Sequence, residues 1–292
     1  MKIIKLIIKM LLKTLGLGRI IKIIGRYKLA KSYYSKQLHI IRSWCLQDTE
    51  DSNFYYDITD LNIEHTKHAI AVITQCDVQI IEKYIDEIRK DSWLKDFISK
   101  NLKFANYQKD TKVEFSRRIG WYAFARAMKP KIIIETGVHH GVGACVMTRA
   151  LMKNSEEGFK GKYFGTDIDL IMGKLFQEPL TNFGQILYGD SLDSLDKLNC
   201  KIDLFINDSD HSASYEMQEY ELINDKLSPS AIILGDNSHV TNELSKFSMK
   251  KGRNFIFIPE KPKNHWYPGA GIGVSFPRYE KMSSKKTIKN IL

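Results

Sequence analysis

The sequence has few cysteines, and the four it has, Cys45, Cys76, Cys145 and Cys200, lie far apart with no C-x-x-C pair. That spacing excludes a disulfide framework and a zinc ribbon, and it suits a reducing cytosol. No uninterrupted apolar run reaches the roughly 18 to 20 residues of a spanning helix. Lysines also interrupt what would be the apolar core of a secretory leader. No repeat of fixed period is visible. With 43% hydrophobic and 27% charged residues, the composition excludes a disordered tail, a collagen-like repeat and a multi-span membrane protein.

Negative charge is missing from the start of the chain. Eleven Lys and Arg residues fall between Met1 and Arg42, and the first acid is Asp48. The formal net charge is +10, so everything after Arg42 is close to neutral. The basic balance therefore describes an N-terminal segment, and no nucleic-acid-binding face is implied for the body. On a helical wheel Lys2, Lys5, Lys9 and Lys13 form one narrow stripe while Ile and Leu fill the remaining arc; Arg19, Lys22 and Arg26 repeat the design after Gly16 and Gly18. A helix lying in the interface of an anionic membrane fits this pattern, each cation contributing on the order of 1 kcal/mol near such a surface. The plainer alternative is a helix docked on its own domain or on a second subunit of a homo-oligomer. Nucleic acid ranks third, because the lysines alternate with Ile and Leu and not with aromatics.

Residues 1–47 thus read as a basic amphipathic segment, 48–114 as a connector and helical cap, 115–279 as the main domain and 280–292 as a basic tail. The stretch 31–67 is polar and tyrosine-rich and reads as a connector with some short helix. Ile80, Ile81, Tyr84, Ile85 and Ile88 recur at helical spacing, which predicts one or two helices over 78–101; a further helix over 114–128 ends at Pro130. Strand-like pieces then appear at 131–135, 162–167, 186–188, 202–206 and 231–234, with helices at 141–153 and 214–227 and an antiparallel pair at 255–258 and 273–276. This alternation predicts an α/β fold: a Rossmann-like, doubly wound, mostly parallel sheet with an antiparallel closing strand. Ligands in such sheets bind beyond the carboxyl ends of the strands, where strand order reverses.

The loop E-T-G-V-H-H-G-V-G (135–143) follows one strand and opens a helix. Its glycines let backbone approach a ligand, and the helix start offers free N–H groups to an anionic part. A carboxylate at Glu135 suits a cationic ligand better than a pyrophosphate. One β-α unit on, Asp167 ends the second strand, where an acid reaches ribose hydroxyls, with Asp169 as the fallback. Gly189, Asp190 and Ser191 follow the third strand, within reach of an adenine edge. Taken singly, each acid reads better as a helix cap or a solvated loop residue; three at successive strand ends are harder to assign that way. The fourth strand ends in Asn207, Asp208, Ser209, Asp210 and His211, and the fifth in Gly235, Asp236 and Asn237. Neighbouring strand ends converge, so Asp208, Asp236 and Asn237 would offer three oxygens to a hard cation such as Mg2+. His139 and His140 read as loop packing. Trp266 and Tyr267 read either as a stacking platform for a sugar or aromatic acceptor or as packing anchors.

Over roughly 115–277 the chain resembles the class I S-adenosylmethionine-dependent methyltransferases, more narrowly their small-molecule O-methyltransferase branches. The likeness rests on Arg118 with A-R-A-x-x-P-K-I-I-I-E-T-G-V-x-x-G-V (125–142), and on D-L-F-I-N-D-S-D-H (203–211) followed by Y-E-M-Q-E-Y (215–220). It implies that Glu135, Gly137, Gly141 and Gly143 surround the methionine part of S-adenosylmethionine, that Asp167 holds the ribose, and that Asp190 with Ser191 meets the adenine. The Asp208 and Asp236-Asn237 arrangement is similar to that of metal-dependent caffeoyl-coenzyme A and catechol O-methyltransferases. That similarity implies a cation that binds the acceptor oxygen, lowers its pKa and orients it, with His211 as general base and His239 as a weaker second candidate. The metal-free alternative stands beside it: of Asp208 and Asp210, one contacts the donor's amino group and the other caps the next helix through Ser214. The sequence departs from the related D-x-D-H-S-Y-E pattern by Ser212 and Ala213 inserted before Ser214, which disturbs the helix start and the His211 assignment.

The resulting expectation is a methyltransferase acting on the hydroxyl of a small molecule, a sugar or a lipid-linked glycan. It would be cytoplasmic, peripheral at the inner face of the membrane, with no nucleic-acid partner. Two rivals are a NAD-dependent oxidoreductase on a related sheet and a non-catalytic scaffold recruited to the membrane. The first is disfavoured by the absence of a tight G-x-G-x-x-G in the opening loop.

Overall fold

Apolar strands covered on both faces form the centre of the protein. In the computed structural model, which describes residues 7, 10, 16, 18–46, 55–102 and 112–279, β1 (Ile132–Thr136), β2 (Lys162–Asp167), β3 (Gly184–Tyr188), β4 (Ile202–Asn207) and β5 (Leu227–Gly235) run parallel. β6 (Asn254–Pro259) and β7 (Gly271–Phe276) complete a seven-stranded sheet in the order β3-β2-β1-β4-β5-β7-β6. β7 is antiparallel to both of its neighbours, the closing arrangement that the sequence predicts. Strand order reverses between β1 and β4, which pair from Ile133↔Leu204 to Thr136↔Asn207. A reversal of this kind marks where an open α/β sheet places its ligand crevice, beyond the carboxyl ends of the strands.

The helices are α1 (Gly18–Cys45), α2 (Asp60–Thr74), α3 (Val78–Arg89), α4 (Ser92–Asn101), α5 (Arg118–Met128), α6 (Val142–Glu156), α7 (Ser191–Lys197), α8 (Ala213–Ile223) and α9 (Glu243–Lys250). The region 78–101 divides into two helices because Asp91 caps the second, its carboxylate accepting from the Leu94 N–H at 2.9 Å. One expectation needs correction: 31–67 is not a connector with short helix. Residues 31–45 continue α1, and α2 begins at Asp60 behind the Thr59 cap. Apolar periodicity missed both for a physical reason. No residue of α1 is buried, and the buried stripe of α2 is half polar, made of Asn62, Thr66, Ile70 and Ile73.

The chain falls into two units, 1–49 with 264–267, and 50–263 with 268–292. In the first, Gln37 Nε2 donates to the carbonyls of His265 (3.1 Å) and Trp266 (2.9 Å), and the Trp44 and Trp266 rings lie 5.1 Å apart. Of the two readings for Trp266, this one is packing. The lysine stripe of 2–13 and the basic tail of 280–292 lie outside the described residues.

In the second unit the core on one sheet face gathers Ile134, Phe205 and Ile233 from the strands with Tyr220 and Phe247 from α8 and α9. The last two rings lie 5.5 Å apart. The helices before β1 are joined to the domain by Arg126, a buried cation that reaches Glu87 of α3 at 2.9 Å and also Asn154 and Glu157 around the end of α6. A buried guanidinium is tolerable only with partners of this kind.

Candidate active site

A cavity of about 650 Å3 opens over the carboxyl ends of β1 to β5, a size typical of small-molecule sites. Its floor depends on Gly137, whose φ is +80° and whose missing Cβ would lie 1.9 Å from the Asp208 carbonyl oxygen. Only glycine lets the loop after β1 press against the loop after β4 in this way.

Asp167, at the end of β2, lines the cavity. Its Oδ2 accepts from the His139 N–H at 2.7 Å and its Oδ1 from the Asp169 N–H at 2.9 Å. Two backbone donors fix the carboxylate, and each oxygen keeps a lone pair for a ligand hydroxyl. Asp190, after β3, also lines the cavity. It caps α7 through the Leu192 N–H at 2.8 Å and accepts from the Tyr215 hydroxyl at 2.9 Å. The capping and the site-lining readings of this residue are thus both realised. Ser191 meets the Tyr215 hydroxyl at 2.8 Å and donates to Glu219.

Glu135 is placed differently from the expectation. Its side chain is 1% exposed and stands behind the cavity wall, accepting from the Tyr163 hydroxyl at 2.6 Å. A Cβ on Gly143 would fall 2.0 Å from Glu135 Oε1, so this glycine makes room for the carboxylate against the first turn of α6 and not for a ligand. Burial pushes the Glu135 carboxyl up to about 7, against the Tyr163 hydrogen bond and the charge of Arg118. Gly141, with φ +99°, caps α6 without lining the cavity.

On the other side of the crevice Asp208, Asp210, His211 and Asp236 line the cavity. Asp210 is exposed, and hydrogen bonding to the Ser212 side chain and to the Ser212 N–H, the latter at 2.6 Å, holds it below the usual carboxylate range. His211 is exposed on the rim, whereas His239 stays with its own turn, Nδ1 lying 2.9 Å from the Asp236 carbonyl oxygen. His139 and His140 do reach the cavity, their rings 3.5 Å apart.

The cation expected at Asp208, Asp236 and Asn237 does not fit the groups found there. The Arg117 guanidinium already occupies the position, with Nε paired to Asp236 Oδ1 and Nη2 3.9 Å from Asp208 Oδ2. A divalent ion about 4 Å from that fixed charge would meet roughly 8 kcal/mol of repulsion, twice the value for two unit charges near a protein surface. Asn237 is fully buried and off the cavity wall, its Nδ2 donating to the Asp210 carbonyl at 3.4 Å. Its Oδ1 has no hydrogen-bond partner among the described residues, and Asp236 Oδ1 has only its ion pair with Arg117. Among the described residues no group of three His, Cys, Asp or Glu side chains is arranged to hold a metal ion. Burial and the adjoining Asp236 push Asp208 well above the usual carboxylate range, against the pull of Arg117 and Arg118.

Two residues that position this site lie outside the sequence expectations. Glu219 of α8, fully buried, accepts from Thr136 Oγ1 (3.0 Å), Ser209 Oγ (2.9 Å), Ser191 and Asn207, and so ties the ends of β1, β3 and β4 together. It stood in the Y-E-M-Q-E-Y motif, but only the fold reveals its partners. Arg117 falls inside the helix predicted over 114–128, and no local pattern links it to strands that follow much later in the chain.

Residues 134–238 match the family Methyltransf_24, described as a methyltransferase domain. No curated protein matches the sequence. Among solved structures, an O-methyltransferase from Bacillus cereus in complex with SAH is 14% identical, with 67% of this chain and 99% of that one covered and a TM-score of 0.47. A methyltransferase from Geobacter sulfurreducens is 15% identical, with 76% and 98% covered and a TM-score of 0.48. The O-methyltransferase TomG from Streptomyces achromogenes, in complex with SAM, is 14% identical, with 66% and 92% covered and a TM-score of 0.46. The family match runs from within β1 to just past β5 and takes in the loops that build the cleft.

Proposed function

We propose that the protein moves a methyl group from S-adenosylmethionine to a hydroxyl of a small molecule, a sugar or a lipid-linked glycan. The observation that carries this reading is the pair of carboxylates Asp167 and Asp190, fixed at successive strand ends and facing one cavity floored by Gly137. The donor supplies an electrophilic methyl on a sulfonium. Asp167 would hold its ribose hydroxyls, and Asp190 with Ser191 would meet the adenine. Asp208 lies across the crevice, where the acceptor enters, and accepts a hydrogen bond from the attacking hydroxyl. His211, on the rim, carries the released proton to solvent. Holding the two reactants in line across a small cavity is the main contribution left to the protein.

Calorimetry with S-adenosylhomocysteine and with NAD tests the donor. Binding of the first, lost in Asp167→Ala, is expected; tight NAD binding without it would defeat the reading. The acceptor is found by comparing metabolites and glycans from cells with and without the protein, looking for the mass of one CH2 group. That product is expected to vanish with Asp208→Ala.

The same reading includes an anionic membrane surface as partner of the N-terminal segment. Supporting it, α1 exposes Ile20, Ile23 and Ile24 beside Arg19, Lys22 and Arg26, with no acid anywhere in the helix. No helix among the described residues is long and apolar enough to cross a membrane, so contact would be interfacial.

A further inference from the structure

We propose that Arg117 is the resident cation of the acceptor side of the cleft, filling the place between Asp208 and Asp236 that a divalent ion would otherwise take. The word acceptor rests on the methyl-transfer reading; the cation does not.

The three side chains are 13%, 14% and 4% exposed for Arg117, Asp208 and Asp236, so the cluster is largely shielded from water while still lining the cavity. Its geometry is built in before any ligand arrives. Ser116 adopts φ +49° and its N–H donates to the Tyr56 carbonyl at 3.2 Å. The Arg117 N–H donates to Glu260 Oε1 at 2.8 Å, and Glu260 Oε2 in turn accepts from the Ala270 N–H at 3.1 Å. A turn held from both ends thus delivers the guanidinium to the ends of β4 and β5. Asp208 and Asp236, at the ends of neighbouring strands, receive it from two sides.

A guanidinium carries five N–H donors in a rigid fork. Those not spent on the two aspartates are available to an acceptor oxygen. Such a donor orients a single hydroxyl and needs no second oxygen for chelation. The acceptor class is therefore one recognised through a single hydroxyl oxygen, with no requirement for a second, adjacent oxygen presented to a metal.

The test is a titration of the full-length protein with Mn2+ alone, followed by electron paramagnetic resonance of the free ion. The wild-type chain is expected to leave Mn2+ free. Arg117→Ala is expected to gain a stoichiometric site that disappears when Asp208→Asn is added, while Arg117→Lys keeps the cation and stays without Mn2+. Stoichiometric uptake by the wild type that is lost in Asp208→Asn overturns the proposal, and needs no variant of Arg117 to fold. So does a folded Arg117→Ala chain that takes up no Mn2+. S-adenosylhomocysteine binding, measured on the same samples, reports folding. Its absence from the wild type would sink the methyltransferase reading and leave the Mn2+ result standing.

Discussion

Burial lifts the Glu135 carboxyl to about 7 while the Tyr163 hydroxyl, 2.6 Å away, pulls the other way. The folded chain therefore keeps a proton that the unfolded chain gives up near the ordinary value of 4.5. Stability falls as pH rises through the window between these values, by on the order of 3 kcal/mol in all. Glu135→Gln is expected to melt higher than the wild type at pH 8, with the gap closing toward pH 4 in ligand-free thermal scans. A gap independent of pH would refute the assignment. His140, which burial pushes down to about 4, loses stability as pH falls instead, but it is common to both chains and drops out of the difference. Gly137→Ala would force a methyl group against the Asp208 carbonyl at a left-handed φ, at a cost of about 1–3 kcal/mol. Lower melting and weaker S-adenosylhomocysteine binding are its expected marks. The positions of Asp167 and Asp190 were legible because each follows an apolar run that must end at the sheet's edge. The direction of the Glu135 side chain was not: its space is created by Gly143, on a different element.

At the scale of elements, the strand ends depend on one helix. Glu219 of α8 takes bonds from the ends or following loops of β1, β3 and β4, and removing it leaves several buried polar groups without a partner. Each unmet group costs about 1–3 kcal/mol. Glu219→Ala is therefore expected to lower the melting temperature and weaken S-adenosylhomocysteine binding at least roughly tenfold, since it holds Ser191 beside the ligand carboxylate Asp190 and Thr136 before the Gly137 floor. Glu219→Gln, which keeps the shape and half of the acceptors, should fall between. Unchanged binding in the alanine variant would separate α8 from the site. The parallel strands were readable from uninterrupted Ile and Phe runs, and the two-way split of 78–101 was open in the text because Asp91 can cap only if a helix begins there. α7 and α9 went unread, being short helices whose identity is fixed by packing and, for α7, by the Asp190 cap.

At the scale of the molecule, the basic balance belongs to 1–42 and the chemistry to the sheet. Vesicles containing phosphatidylserine are expected to carry the full chain upward in a flotation gradient, and to lose it in 0.5 M salt, where the Debye length is only about 4 Å. A chain beginning at Ser43 is expected to stay behind; retained flotation would remove the membrane from the account. The α/β class was legible from the alternation of strands and helices along the chain; which two strands flank the switch point was given only by the sheet order. That 264–267 belong with α1 was not, because the contact spans most of the sequence.

That last contact bears on how the helix can be removed. Gln37 occupies two peptide oxygens of His265 and Trp266. Starting the chain at Ser43 strips away positive charge and also returns those oxygens to water, so a mere packing defect could imitate a lost membrane anchor. Exchanging Arg19, Lys22 and Arg26 for glutamine leaves Gln37 where it is and isolates the electrostatic contribution.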